Sequence, residues 1–134
     1  MKNKTTIIIW ALRLVAVFIM LQTLYFKFTA APESVYIFTT IGLEPVGRIG
    51  IGIMELIASA LLLYTPTVVF GAALAVGLMS GALFFHISKL GISVQGDGGQ
   101  LFYYALIVLF ASIALLILNY KKILALLTLV KIRK

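Results

Sequence analysis

Four long apolar runs, at residues 7–26, 46–64, 68–87 and 101–119, constrain this chain more than any other feature. A bilayer core about 30 Å thick takes about 20 residues of helix, so each run is long enough to span. The composition agrees. Of 134 residues, 63% are hydrophobic and 11% charged, with a mean hydropathy of +1.16, whereas ordinary globular domains carry about 25% charged residues. The chain reads as an all-α, integral membrane four-helix bundle over residues 1–120, followed by a basic interfacial tail at 121–134. That length leaves no room for a large extramembrane catalytic domain. The absence of Cys removes disulfides, iron–sulfur clusters, thiolate zinc sites and thiol relays, so any redox partner must bring its own centre.

Turn residues separate the runs. Pro32 and Pro45 precede the second, Thr65-Pro66-Thr67 follows it, and Gly96-Asp97-Gly98-Gly99 precedes the fourth. All three stretches read as loops. Tyr favours the water–hydrocarbon boundary, and Tyr25, Tyr36, Tyr64, Tyr103, Tyr104 and Tyr120 all fall at span ends or in a loop.

Basic residues set the orientation. Lys2 and Lys4 precede the first span, and Lys121, Lys122, Lys131, Arg133 and Lys134 follow the last, which predicts cytoplasmic N- and C-termini. These seven positions equal the net charge of +7. The remaining bases, Arg13, Lys27, Arg48 and Lys89, are balanced by Glu33, Glu44, Glu55 and Asp97. The basicity is therefore a topology signal, and no nucleic-acid partner is expected. Cations bracket the apolar stretch 123–130, too short to span, so the tail is predicted to be an interfacial helix on anionic lipid. A competing view treats the N-terminus as a cleaved signal peptide ending near Thr29-Ala30-Ala31; an apolar run of this length, interrupted by Arg13, fits a span better. In the third span Ala73, Gly77 and Gly81 fall on one stripe, which predicts close approach of another helix there.

Ionisable residues inside spans cost roughly 2.5–3.5 kcal/mol each on insertion scales and need a partner or a role. Glu55 lies mid-way along the second span and Arg13 in the first. Depth counted at about 1.5 Å per residue separates them by only about 5 Å, which predicts an Arg13–Glu55 pair at mid-depth. Helical angles put Arg48 within about 20° of Glu55, and Lys27 about 40° from Arg13. A polar column follows, with Lys27, Arg48 and His86 beyond the pair, while Gly77 and Gly81 point elsewhere. The plainer readings are a register-fixing ion pair for Arg13 and Glu55, and snorkelling to headgroups for Lys27, Arg48 and Lys89. For His86 the choice is between a satisfied interfacial imidazole and a proton relay. One His and one buried acid make a poor metal site, so no metal is expected.

These residues, in their order and spacing, resemble the DoxX and DoxX-like family of small four-helix bacterial membrane proteins. The resemblance rests on Leu12-Arg13-Leu14, Lys27 after Leu21-Gln22-Thr23-Leu24-Tyr25-Phe26, Gly42-Leu43-Glu44-Pro45, Met54-Glu55-Leu56-Ile57, His86 and Asp97-Gly98-Gly99. It implies a bacterial inner-membrane bundle with Arg13, Lys27, Glu55 and His86 as characteristic polar positions. It also implies association with quinone-linked oxidation, since the family takes its name from such a subunit. The expected function is an accessory subunit of a quinone-linked oxidoreductase system. Arg13, Lys27, Arg48, Glu55 and His86 would there hold a quinone headgroup or relay its protons, with no intrinsic cofactor. The alternatives are a small-solute or lipid-binding carrier, or a structural membrane protein. Partners would be membrane oxidoreductase subunits, anionic lipids and a second copy of the chain.

Overall fold

A computed structural model describes residues 2–133, with side chains from 3 to 131. Lys134, and the side chains of Lys2 and Arg133 that entered the orientation argument, lie outside the described residues. The described chain is all-helical: α1 (Lys2–Phe28), α2 (Pro32–Thr40), α3 (Val46–Leu63), α4 (Val68–Phe85), α5 (Gln100–Leu118) and α6 (Tyr120–Arg133). A 3₁₀ turn (Thr65–Thr67) leads into α4, and a π turn (His86–Leu90) leaves it. Four stretches are long and apolar enough to cross a membrane: Asn3–Phe28, Val46–Leu63, Thr65–Leu90 and Gln100–Leu118. They match the four predicted runs. The first begins earlier and the third ends later, because the helix continues through polar residues at its boundaries.

The four spans form an up-and-down bundle in which α1 packs on α3 and α5, and α4 packs on α3 and α5. The ends of α3 and α5 and the starts of α1 and α4 therefore share one end of the bundle, the terminal end. The opposite, distal end carries α2, the π turn and loop 91–99. Small residues shut the terminal half. Ala16, Ala58, Ala72 and Ala75 have no exposed surface, and Leu62, Val68 and Leu115 fill the space between them. Small side chains let backbones approach, which matters in hydrocarbon, where no hydrophobic force drives helices together.

The stretch between the first two spans differs from expectation. Pro32 does not break the chain; it starts α2, where its missing N–H costs nothing and its fixed φ suits the first turn. Glu33 lies in that first turn, where it favours the helix dipole. Ser34 and Phe38, four residues apart on one face, are buried, and α2 lies on α1, α3 and the π turn.

Each reversal satisfies its own polar groups. Thr67 Oγ1 donates to Leu61 O at 2.9 Å, in the last turn of α3, and to Tyr64 O at 3.0 Å, which also accepts from the Thr67 N–H. In loop 91–99, Asp97 Oδ1 accepts from the N–H groups of Val94 (2.9 Å) and Gly99 (2.8 Å), and Oδ2 from that of Leu101 (3.3 Å). Burial opposes ionisation of this carboxyl, but the three N–H donors hold its pKa below the usual range. Asn119 Nδ2 donates to Leu115 O at 2.7 Å where α5 gives way to α6. The tail is helical, with Leu124, Leu127, Leu129 and Val130 exposed.

The close approach predicted on α4 occurs elsewhere on that helix. A Cβ at Gly77 or Gly81 would meet nothing within 4 Å, whereas one at Gly71 would fall 2.7 Å from Leu62 N and 3.0 Å from Ala58 O. Gly71 follows directly on the tight α3–α4 turn, which forces the two backbones together. Gly71→Ala is expected to destabilise the bundle by about 1–3 kcal/mol through overpacking against backbone. Gly77→Ala should be neutral or stabilising by about 0.5–1 kcal/mol. Unfolding of both variants in the same detergent micelles checks the contrast.

Candidate functional site

The predicted Arg13–Glu55 pair does not form. Glu55 pairs instead with Lys27, Nζ to Oε1 at 2.9 Å, and its Oε2 accepts from Thr23 Oγ1 at 3.1 Å. The direction of helical side chains explains the exchange. Each Cα–Cβ bond tilts toward the N-terminus of its own helix. Glu55, on α3, therefore leans toward the distal end, and Lys27, in the last turn of α1, leans inward from that end to meet it. Arg13, on α1, leans the opposite way.

Arg13 is instead bound into the terminal half. Its Nε donates to Leu62 O at 2.5 Å and its Nη1 to Thr65 Oγ1 at 3.3 Å, while its Cζ sits 3.7 Å from the centre of the Trp10 ring. The carbonyl it takes lies in the last turn of α3, where no helical donor remains for it. The residue is 1% exposed, and its Nη2 has no partner among the described residues.

Arg48 braces the distal end. Its Nε donates to both Glu44 oxygens, at 2.9 and 3.0 Å, and its Nη1 donates to the carbonyl of Lys27. The guanidinium thus fixes the end of α1 from which Lys27 reaches inward, and it is buried rather than snorkelling. His86 is buried at the start of the π turn, and its Nδ1 lies 3.0 Å from Gly91 O. With Nδ1–H donating to that carbonyl, Nε2 of the neutral ring is an acceptor. Phe102 packs edge-on against the imidazole, with centroids 5.7 Å apart.

Lys27, Glu55 and His86 line one cavity of about 250 Å³ in the distal half, roofed by α2. Its walls are mostly apolar, with Ile19, Met20, Ile37, Phe38, Phe85 and Val108 among them. Gly77 and Gly81 also line it, contrary to the expectation that they point away from the polar column. Lacking side chains, they leave that wall open, and Gly77 is exposed on the surface of α4. Arg13 and Arg48 are not among the lining residues.

Four polar lining residues escaped the sequence reading: Thr23, Glu33, Ser34 and Tyr104. Thr23 was accessible, being one helical turn from Lys27 on the same stripe. Glu33 was hidden because α2 read as a loop. Tyr104 read as a boundary aromatic, yet its hydroxyl accepts from Gln100 Nε2 at 2.8 Å, which leaves its own proton to donate. Comparison of the chain with protein-family models, curated proteins and solved structures gives no match.

The arrangement can hold a small, mostly apolar molecule against a paired ammonium and carboxylate. A cavity of about 150 Å³ accommodates a benzene ring, so the one here admits a substituted ring. The pairing has a direct test. Lys27→Met strands a buried carboxylate and should cost about 3–5 kcal/mol, most of it recovered when Glu55→Gln is added. Arg13→Gln and Glu55→Gln, by contrast, should add within about 0.5 kcal/mol, as separated sites do. Double-mutant cycles on unfolding in detergent measure both couplings, and a strong Arg13–Glu55 coupling would contradict the geometry.

Proposed function

We propose that this chain is a DoxX-like accessory subunit of the bacterial cytoplasmic membrane that holds a quinone headgroup in its distal cavity and serves that headgroup's protons. The observation that carries the proposal is the Lys27–Glu55 pair set in the wall of an apolar cavity inside the bundle. A quinone headgroup is a flat ring with carbonyl acceptors at opposite edges and an apolar chain attached. Lys27 Nζ and the Tyr104 hydroxyl are donors suited to those oxygens, and the apolar walls suit the ring. The side-chain-free wall at Gly77 and Gly81 gives the attached chain a way out to lipid.

A bound quinone supplies two-electron, two-proton carrier chemistry, and the electrons are assigned to a partner oxidoreductase subunit. The contribution of this chain is to bind, orient and exchange protons. Lys27 Nζ donates to Glu55 Oε1 across 2.9 Å, and His86 lines the same cavity. Titratable groups inside membrane spans commonly mark such sites.

Removing the ammonium deletes a charge-assisted hydrogen bond worth about 1.5–3 kcal/mol. Lys27→Met is therefore expected to lower the affinity for a short-chain quinone at least tenfold, measured by equilibrium dialysis against nanodiscs holding the protein. Gly81→Leu, whose Cβ would meet nothing within 4 Å and whose longer side chain would occupy cavity space, should abolish binding while leaving the fold intact. Quinone binding unaffected by either change would refute the assignment. Uptake of solutes by proteoliposomes would point instead to the carrier reading.

Cytoplasmic termini belong to the same proposal. Lys4, Lys121, Lys122 and Lys131 lie on the segments at the terminal end, whereas of the distal bases Lys27 and Arg48 are held in ion pairs and Lys89 lies in the π turn, an excess of free bases on the terminal side that the positive-inside rule assigns to the cytoplasm. The chain has no Cys, so single-cysteine labelling is clean. In intact spheroplasts a membrane-impermeant maleimide should label Gln95→Cys, and it should label Thr128→Cys only after lysis. The reverse pattern would invert the topology.

A further inference from the structure

At the terminal end, remote from the distal cavity, two cations converge on one residue. Arg13 Nη1 donates to Thr65 Oγ1 at 3.3 Å, and Lys122 Nζ, from the start of α6, donates to Thr65 O at 3.4 Å. Among the described residues neither cation is paired with a carboxylate; both ion pairs found, Lys27–Glu55 and Arg48–Glu44, involve other cations. Arg13 is the more demanding of the two, being almost wholly buried with Nη2 unpartnered. A buried charge without a counter-ion carries a large desolvation penalty.

The same place is the positive end of α4. Thr67, its N-cap, makes no side-chain cap, because its hydroxyl is turned back onto the carbonyls of α3. The first N–H of this 18-residue helix, that of Val68, donates to Thr65 O, the carbonyl that Lys122 also meets, so the positive end of the helix dipole lies at the cluster. Beside it runs a groove of about 250 Å³ between the α3–α4 turn and α6, lined by Pro66, Val69, Lys122, Ala125, Leu126 and Leu129. Apart from Lys122 its lining is apolar. A positive pole at the mouth of an apolar groove, at the end of a membrane bundle, matches a ligand with an anionic head and a hydrocarbon chain.

We propose that an anionic phospholipid binds here, its phosphate between Lys122 and the start of α4 above the Arg13 guanidinium, and one acyl chain in the groove under α6. Docking of the tail helix onto the bundle then depends on that lipid, which neutralises the converging cations and fills the space between α6 and the turn.

Native mass spectrometry of the full chain, delipidated in detergent and offered palmitoyl-oleoyl phosphatidylglycerol or phosphatidylcholine, tests this. The chains are identical, so only the headgroup charge differs. The wild type should retain phosphatidylglycerol at least fivefold better, in line with the worth of one basic residue near an anionic lipid. Lys122→Glu should bring the two lipids to parity. Lys122→Gln, which deletes the charge without reversing it, keeps the comparison available if the reversal disturbs folding. Leu126→Trp, filling the groove, should lower retention of both lipids. Equal retention by the wild type, or a preference untouched by the Lys122 variants, would overturn the proposal. Displacement of phosphatidylglycerol by millimolar inorganic phosphate would overturn it too, since the site would then take a bare anion and owe nothing to the groove.

Discussion

An isolated carboxylate in hydrocarbon is too costly to keep charged, and Glu55 sits at the middle of a span with almost no exposed surface. The structure depends on how that charge is met. Lys27 answers it from the last turn of the neighbouring helix, and Thr23, one turn earlier, supplies a hydroxyl proton to the second oxygen. Both donors come from α1, so the pair fixes the rotation of α1 against α3 at the depth where the bundle begins to open. Arg48 then holds the carbonyl of Lys27, which makes the end of α1 a braced platform rather than a frayed helix terminus.

Two kinds of packing follow along one bundle. In the terminal half alanines and a tight turn bring backbones into contact, and Arg13 bonds to α3 and the turn beyond it. In the distal half larger side chains, two glycines and an overlying helix leave room for a ligand. The difference has a physical source. Helices that touch through alanine cannot also enclose a cavity, and a cavity that contains charges needs rigid walls to keep them paired.

The spans, their order and the polar positions were legible in the sequence because apolar length is a strong signal and intramembrane charges are few. The pairing was not. Depth and helical angle place Arg13 near Glu55, but both measure where a Cα lies, whereas a long side chain acts several ångströms away, toward the N-terminus of its helix. On antiparallel helices that rule sends Arg13 and Glu55 apart and brings Lys27 and Glu55 together. The short helix α2 was missed for a different reason. Pro32 reads as a breaker in isolation, and only the helical residues after it identify the position as a first turn. Gly77 and Gly81 read as a packing stripe because small residues usually serve contact; here their smallness leaves a wall open.

The fastening of α1 also bears on how a ligand could enter. Arg13 and Lys27 are fourteen residues apart, about 21 Å along the helix, and both tie α1 to α3 or to the turn at its end. Those two helices are therefore clamped at two heights, and separating them would break buried charged contacts. The spanning part of α4 has no such tie: between Val68 and Phe85 its one polar side chain is Ser80, and it is held by packing alone. A seam held by dispersion opens at far lower cost than one held by a buried ion pair. For the proposed quinone, the α4 side is the lower-cost route from the bilayer, since Gly77 and Gly81 thin the wall there and the Lys27–Glu55 pair can stay intact.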